Sequence, residues 1–354
     1  MTASRARVAV IGAGMAGATC ARELSDAGAD VHLFEKSRGV GGRMATRRIR
    51  WRDASQRDHE IAFDHGAPGF PVSSAAFARF VDQQVESGTL MRWRPRMAPG
   101  NRVPSDGCEC WTASHRMPAV CSRLLDGLHV TLGGAIDTIR RGPAGWSLER
   151  LGETLGSGFA HVVLAMPPRQ AAALLAPHRR DWATRAREQR MLPCWTLMGL
   201  SAEPAAAEWD VAWPVNGPLA WIVRNERKPG RRSDGGAAHW VAHASARWSE
   251  THLEAPDDEV QAALLLAMEE FLGQRKEWRF SQVHRWRYAS VARRETFAQE
   301  PFWYDDDLGL GVCGDYLGGA GVEGAWMSGN ALGERIAWAC ELLPRSLQPA
   351  GAVP

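Results

Sequence analysis

Residues 8–11, Val-Ala-Val-Ile, form a short unbroken apolar run, the pattern of a strand covered on both faces. The period then changes. Met15 to Ala27 reads as a helix, and Val31-His-Leu-Phe34 as a second strand closed by Glu35. Further on, His115 to Leu125 predicts a helix and Leu128 to Leu132 a strand. Trp146 to Glu149 and His161 to Ala165 predict further strands, and Val322 to Leu343 a long helix. A second group has a different look. Trp195 to Leu200, Leu219 to Val223, Ala238 to His243 and Arg279 to Tyr288 predict the strands of one mixed sheet. Between the last two, Asp257 to Leu272 has helical period, with Val260, Leu264, Leu265, Met268 and Phe271 on the face to be buried. Arg224 to Gly236 is polar and rich in glycine, which predicts a mobile loop.

The glycines between the first strand and helix give this pattern a chemical meaning. Gly12 suits a tight turn, Gly14 lets backbone N–H groups approach a pyrophosphate, and Gly17 lets the helix pack on the strand. The helix directs its positive end at the phosphates, and Glu35 is placed to take a ribose diol. Strand, glycines, helix, strand and acid in this order predict a Rossmann-type dinucleotide fold. Lys36 then opens a loop through Gly41, Gly42 and Arg43 to Met44, Arg47 and Arg48. Paired glycines are costly unless the backbone must pass close to something, and a guanidinium can fork onto phosphate oxygens. A solvated basic turn is the alternative.

At this loop the chain resembles the FAD-binding flavin amine oxidase superfamily, and more narrowly its renalase-like oxidoreductases. The resemblance continues through Phe63-Asp-His-Gly-Ala67, Val162 to Pro168, Lys228-Pro-Gly-Arg231, Ala242 to Ser249 and His284 to Ala289. It ends on Cys313-Gly-Asp315 through Glu323-Gly324 to Asn330. It implies an α/β fold: a discontinuous Rossmann-type FAD-binding domain (residues 1–67, 111–170 and 290–343) with an inserted substrate domain of mixed β-sheet plus helices (68–110 and 171–289). Residues 344–354 form a tail. It also implies non-covalent FAD, held by Gly12, Ala13, Gly14, Met15, Ala16, Gly17, Glu35, Lys36, Gly42, Arg43, Met44, His65, Gly66, Ala67, Val130, Ala165, Gly314, Asp315, Glu323, Gly324 and Ala325. The chain departs from the family pattern at Pro68-Gly69-Phe70, at Arg116-Met117 and at Gly321. The first of these bears on which substrate is taken.

Composition narrows the alternatives. Among the chain's 354 residues, a formal net charge of +2 gives no reason to expect a nucleic-acid partner. No apolar run approaches about 18 residues, so no membrane span is expected. Seven cysteines at irregular spacing fit reduced thiols in a cytoplasmic enzyme. Cys108 and Cys110 lack a second pair at zinc spacing, so no metal site is expected. Sixteen tryptophans against three tyrosines supply flat surface for a pocket or for core packing.

The chemistry implied is hydride transfer from a small-molecule substrate to flavin N5, with O2 then taking the electrons as hydrogen peroxide. The resemblance favours misreduced dihydro-NAD(P) isomers as substrate. An amine or amino-acid oxidase forming an imine, and a flavin-binding protein without turnover, are the alternatives. Pocket candidates are His243, Trp195, Trp286 and Tyr288. The last two alternate on one predicted strand and so share a face, whether as pocket wall or as core. Arg285 and Arg287 would face the other way, toward solvent or phosphate. Only Lys36, Lys228 and Lys276 occur as lysines, and neither of the last two looks placed to act near a flavin.

Overall fold

The computed structural model describes residues 5–52, 56, 58–99, 109–202, 208–231, 237–292 and 300–342. Cys108 and the tail 344–354 lie outside the described residues. By backbone contact the chain divides into two compact units: residues 1–42, 121–190 and 293–354, and residues 43–120 and 191–292. The segment 43–67, read from sequence with the dinucleotide domain, groups with the second.

The first unit is built on a six-stranded sheet. Strand Arg7–Ile11 lies in its middle, parallel to Asp30–Glu35 on one side and His161–Leu164 on the other. His129–Leu132 extends one edge and Leu310–Cys313 the other, and Phe302–Asp305 adds an antiparallel border. Val8, Ala9 and Val10 have no exposed surface, which is why the first strand carries no polar side chain between Arg7 and the turn. A three-stranded antiparallel layer, Thr138–Gly142, Gly145–Arg150 and Glu153–Phe159, completes this unit's sheets.

Helix Met15–Asp26 packs against the C-terminal helix Gly321–Ala339 along a seam of small residues. A Cβ on Gly329 would lie 2.1 Å from the Ala16 carbonyl oxygen, and one on Gly333 would lie 2.7 Å from Glu23 Cβ. The C-terminal helix ends at Ala339, short of the Leu343 expected from its pattern. Glu341 takes a left-handed φ of 54°, and the Leu342 N–H turns back to the Ala337 carbonyl at 3.0 Å.

The second unit holds a five-stranded sheet in the order Val211–Ala212, Leu219–Arg224, Ala238–Ala244, Met191–Ser201, Trp278–Val291. These pairings are antiparallel, and a parallel bridge from Met97 to Val211 joins the edge. Helix Asp257–Leu272, with the bounds its apolar period predicts, lays Val260, Leu264 and Met268 on one face of the sheet, against Trp195, Leu197, Ile222 and Trp240. On the other face, the hairpin Arg47–Arg52/Asp58–Phe63 packs Ile61 and Phe63 on Met198, Leu200 and Val241.

One expectation is overturned. Arg224, Asn225, Glu226 and Lys228, read from sequence as part of a mobile loop, are buried and bonded. Arg224 pairs with Glu226 at 2.6 Å, Glu226 also accepts the His239 N–H at 3.0 Å, and the Asn225 amide donates to the Ala62 carbonyl at 2.8 Å. Buried ionic and amide groups satisfied in this way fix a segment whatever its glycine content. Residues 232–236 of that stretch lie outside the described residues.

Gly329→Val would drive a branched side chain into the Ala16 backbone, so it should lower unfolding free energy by about 1–3 kcal/mol in a denaturant titration. An unchanged midpoint would contradict the close seam.

Candidate functional site

Two glycine motifs meet in the first unit. Gly12 has a φ of 111°, and a Cβ there would lie 2.3 Å from the Ala165 carbonyl oxygen. At Gly17 a Cβ would lie 1.9 Å from the Gly12 carbonyl oxygen and 3.0 Å from Ala165 Cβ. Ala165 thus abuts the turn as a packing residue, its own N–H donating to the Ile11 carbonyl at 2.9 Å. Gly14 differs from both: nothing lies within 4 Å of where its Cβ would be, and its φ of −77° suits any residue. Its lack of a side chain therefore answers no contact within the protein. It leaves open the space beside the first turn of helix Met15–Asp26, whose N-terminus no side chain caps. This is the opening an anionic group needs to reach N–H donors at a helix start.

The second motif folds onto the first. The Gly41 N–H donates to the Ala13 carbonyl at 2.8 Å, and a Cβ on left-handed Gly42 would lie 3.2 Å from Gly14 Cα. Glu35, 6 % exposed, accepts the Ala13 N–H at 2.9 Å and the Ser37 N–H at 2.7 Å. Its carboxylate is held beside the glycine turn with lone pairs to spare for hydroxyl donors. Ala13, Met15 and Ala16 bury their side chains, so only their backbone can serve a ligand. Lys36 reaches Gln170 Oε1 at 3.4 Å, and Val130 lies opposite Leu33 on the sheet's edge strand. Nearer the C-terminus, the Gly314 N–H donates to Ser328 Oγ at 2.9 Å and Asp315 is buried in the short turn Asp315–Gly318. Glu323 stands in the first turn of the C-terminal helix. A Cβ on Gly324 would meet the Gly319 carbonyl oxygen at 1.4 Å, and Ala325 is buried. The open turn at Gly14 and the neighbouring acid fit the adenosine-diphosphate part of FAD.

The second unit gathers a different set. The His65 ring stacks on Trp286 with centroids 5.1 Å apart and meets His284 edge-on at 4.8 Å. His284 in turn lies edge-on to Trp286 at 4.4 Å. The His65 carbonyl accepts two side-chain donors, Trp286 Nε1 at 3.1 Å and His243 Nε2 at 3.3 Å. A carbonyl can only accept, so His243 carries its proton on Nε2. Nδ1 of His243 and Nδ1 of His65 are both buried and without a partner. Burial pushes His65 down to about 3, helped by His284 and by the positive field of Arg47. Burial likewise takes His243 down to about 4, and burial with Arg47 lowers His284. All three rings are neutral at pH 7.

Beneath this cluster lies an ionic group that sequence reasoning missed. The Asp64 carboxylate receives Lys228 Nζ, the Arg231 guanidinium at 2.5 Å and the Thr46 hydroxyl at 2.5 Å, and Asn225 Oδ1 accepts the Asp64 N–H at 3.2 Å. Burial pushes the Asp64 carboxyl upward, but Lys228 and Arg231 outweigh it and hold the group at about 2. Lys228 is fully buried, and that desolvation brings its ammonium down to about 8 despite the carboxylate. The sequence marked the stretches Phe63 to Ala67 and Lys228 to Arg231 separately, and one of only three lysines, but nothing in it joined them.

The other predicted residues fall elsewhere. Trp195 points into the helix-covered core, fully buried, its indole N–H donating to the His252 carbonyl at 2.9 Å. It is one strand position from Thr196, which lies opposite His243 and His284. Tyr288 lies where the pairing is irregular, the five residues from Trp286 to Ser290 facing the three from Cys194 to Leu192. Arg285 and Arg287 both pair with Glu254. Within the second unit the Arg43 guanidinium donates to the Ala289 carbonyl at 3.2 Å. Its own carbonyl lies 2.0 Å from where a Cβ on Gly66 would be and accepts the Ala67 N–H at 2.9 Å. Met44 is buried. Among the described residues no cluster of His, Cys, Asp or Glu could hold a metal, and no helix is long and apolar enough to cross a membrane.

Two expectations follow. Gly14→Val should leave the stability of the cofactor-free protein within about 0.5 kcal/mol while cutting FAD affinity at least about tenfold. Equilibrium dialysis with FAD checks this, and full retention would contradict the open turn. Asp64→Asn leaves two buried cations without their anion, a cost of about 3–5 kcal/mol in denaturant. Since Asp64 falls from 3.8 to about 2 on folding, its contribution is complete above about pH 4 and is lost toward pH 2. That part of the acid unfolding curve should vanish in the variant.

Comparisons with known proteins agree with this geometry. Residues 10–83 match the NAD(P)-binding Rossmann-like domain, and residues 61–336 match the flavin containing amine oxidoreductase family. Tryptophan 2-monooxygenase of Agrobacterium vitis is 29% identical over 206 residues, which cover 50% of this chain and 26% of that protein. The chain therefore spans about a quarter of that curated relative's length. Among solved structures, a candidate protoporphyrinogen oxidase from Exiguobacterium sp. superposes with a TM-score of 0.71 at 12% identity, covering 95% of this chain and 99% of that one. Cyclohexylamine oxidase from Brevibacterium oxydans gives 0.69 at 13% identity, covering 96% and 100%. At such identities these two show a shared fold. The family match extends over most of the chain, and the protein is accordingly a member of the flavin containing amine oxidoreductase family.

Proposed function

We propose that the protein is an oxidase of misreduced dihydronicotinamide dinucleotides, returning them to NAD(P)+. The observation that carries this reading is the neutral aromatic cluster of His65, His284 and Trp286, with His243 behind it. A dihydropyridine that loses hydride becomes an aromatic pyridinium, with no proton to remove. A flat ring of this kind is suited to the partly exposed Trp286 indole, which the buried His65 ring backs. The chemistry that FAD would supply when bound is acceptance of that hydride and its delivery, with one proton from solvent, to dioxygen as hydrogen peroxide.

The contrast with an amine substrate is one of proton chemistry. An amine is protonated at neutral pH and must shed that proton before it can give up hydride. A base for that task needs a pKa near the working pH, and His65 and His243 lie at about 3 and 4. Among the described residues the cluster's histidines therefore suit a neutral ring and supply no base near the working pH, while Lys228, at about 8, has its ammonium held by the Asp64 carboxylate.

A second reading, oxidation of an amine or amino acid to an imine, draws support from family membership and from the tryptophan 2-monooxygenase likeness. Anaerobic mixing separates the two. The 1,6-dihydro isomer of NADH should bleach the flavin absorbance stoichiometrically, while cyclohexylamine and L-tryptophan leave it unchanged. Bleaching by the amines alone would replace the first reading with the second. Bleaching by neither would leave a flavin-binding protein without this turnover.

A further inference from the structure

Arg47 is a partly buried cation of the second unit that lacks a carboxylate partner among the described residues. Arg50, Arg92, Arg94, Arg96, Arg224, Arg231, Arg285 and Arg287 each pair with a carboxylate. Arg47 is partly buried, and its side chain bonds a neutral amide: Nε donates to Gln282 Oε1 at 3.3 Å. No carboxylate among the described residues compensates its charge. A guanidinium withdrawn from water without an anion carries a desolvation cost that an anionic ligand would relieve.

Its position points to which ligand. Gln282, His284 and Trp286 alternate along strand Trp278–Val291, facing Met198, Thr196 and Cys194 in register, so the three share one face. His284 and Trp286 carry the rings that meet His65. Four residues of strand separate the amide that holds Arg47 from the indole, about 13 Å. The acidic group of a ligand whose ring is seated on the partly exposed Trp286, extending along the strand, would meet the Arg47 fork, whose terminal nitrogens are not committed to Gln282.

We propose that Arg47 is an oxyanion-recognition residue of the substrate site, selecting ligands that join a flat ring to a phosphate or a carboxylate. The inference rests on the reading of the His65–His284–Trp286 cluster as the place where the substrate ring sits. With a dinucleotide substrate the anion is its phosphate, and with an amino acid it is the carboxylate. Arg47 touches the substrate's tail and takes no part in hydride transfer.

Calorimetry on the FAD-loaded protein with two matched ligand pairs tests this. Nicotinamide mononucleotide and nicotinamide riboside differ by a phosphate, and L-tryptophan and tryptamine by a carboxylate. In the wild-type protein the anionic member of one pair should bind at least about tenfold more tightly, equivalent to about 1.4 kcal/mol. Arg47→Met should bring that ratio to about one, and Arg47→Lys should restore part of it. Arg47→Gln, which keeps a donor for Gln282, serves if the methionine variant does not fold. A ratio near one in the wild-type protein for both pairs, or a ratio untouched by the variants, overturns the proposal. Which pair responds identifies the source of the anion. The binding ratio also stands apart from catalysis: an Arg47-dependent ratio without bleaching by dihydronicotinamides would sustain the anion site and overturn only the proposed oxidase activity.

Discussion

At Gly17 the first helix lies so close to the preceding turn that a Cβ would sit 1.9 Å from the Gly12 carbonyl oxygen. That approach draws the helix start over the end of strand Arg7–Ile11 and sets the opening beside Gly14. The same economy of side chains recurs where Gly329 meets Ala16 and where Gly42 meets Gly14. Helix, turn and second glycine loop are therefore set by backbone contact, which leaves little room for adjustment. Glu35 reads the arrangement directly, since its carboxylate accepts the Ala13 N–H from the turn itself. A dinucleotide site of this kind is preorganised by packing before any ligand arrives.

The second unit is organised by charge. Asp64 neutralises one of the two cations beside it, Lys228 and Arg231, in a place closed to water. Such a group is strongly destabilised if one member is removed, so it holds the segment Phe63 to Ala67 in a single register. The next residue's carbonyl then takes the Trp286 and His243 donors, and the aromatic rings inherit that fixed position. Neutral histidines thus lie beside a locked ionic group. Arg47, with no carboxylate partner among the described residues, lends its positive field to His65 and His284.

How much of this could be read in advance follows from what each constraint writes into the sequence. Backbone approach leaves glycines, so the turn at Gly12–Gly17 and its acidic partner Glu35 were legible. The helix Asp257–Leu272 was legible too, because one-sided burial imposes a period. Long-range pairing leaves no such mark. Lys228 and Asp64 are 164 residues apart, and nothing local distinguishes a buried lysine in a Pro-Gly segment from an exposed one. Alternation along a strand gives two faces without saying which of them a helix covers, and so Trp195 was grouped with His243 although it faces the opposite side. The slip in pairing beyond Trp286, within which Tyr288 lies, likewise has no signature in residue type.

The central claim is that the glycine turn of the first unit holds a dinucleotide whose other end is a flavin. The most direct measurement is the visible spectrum of the purified protein after incubation with FAD, followed by chromatography of what acid denaturation releases. The account predicts a flavin absorbance band and release of intact, unattached FAD in about equimolar amount. Protein that stays colourless after reconstitution, or that releases a nicotinamide dinucleotide in place of FAD, would contradict it.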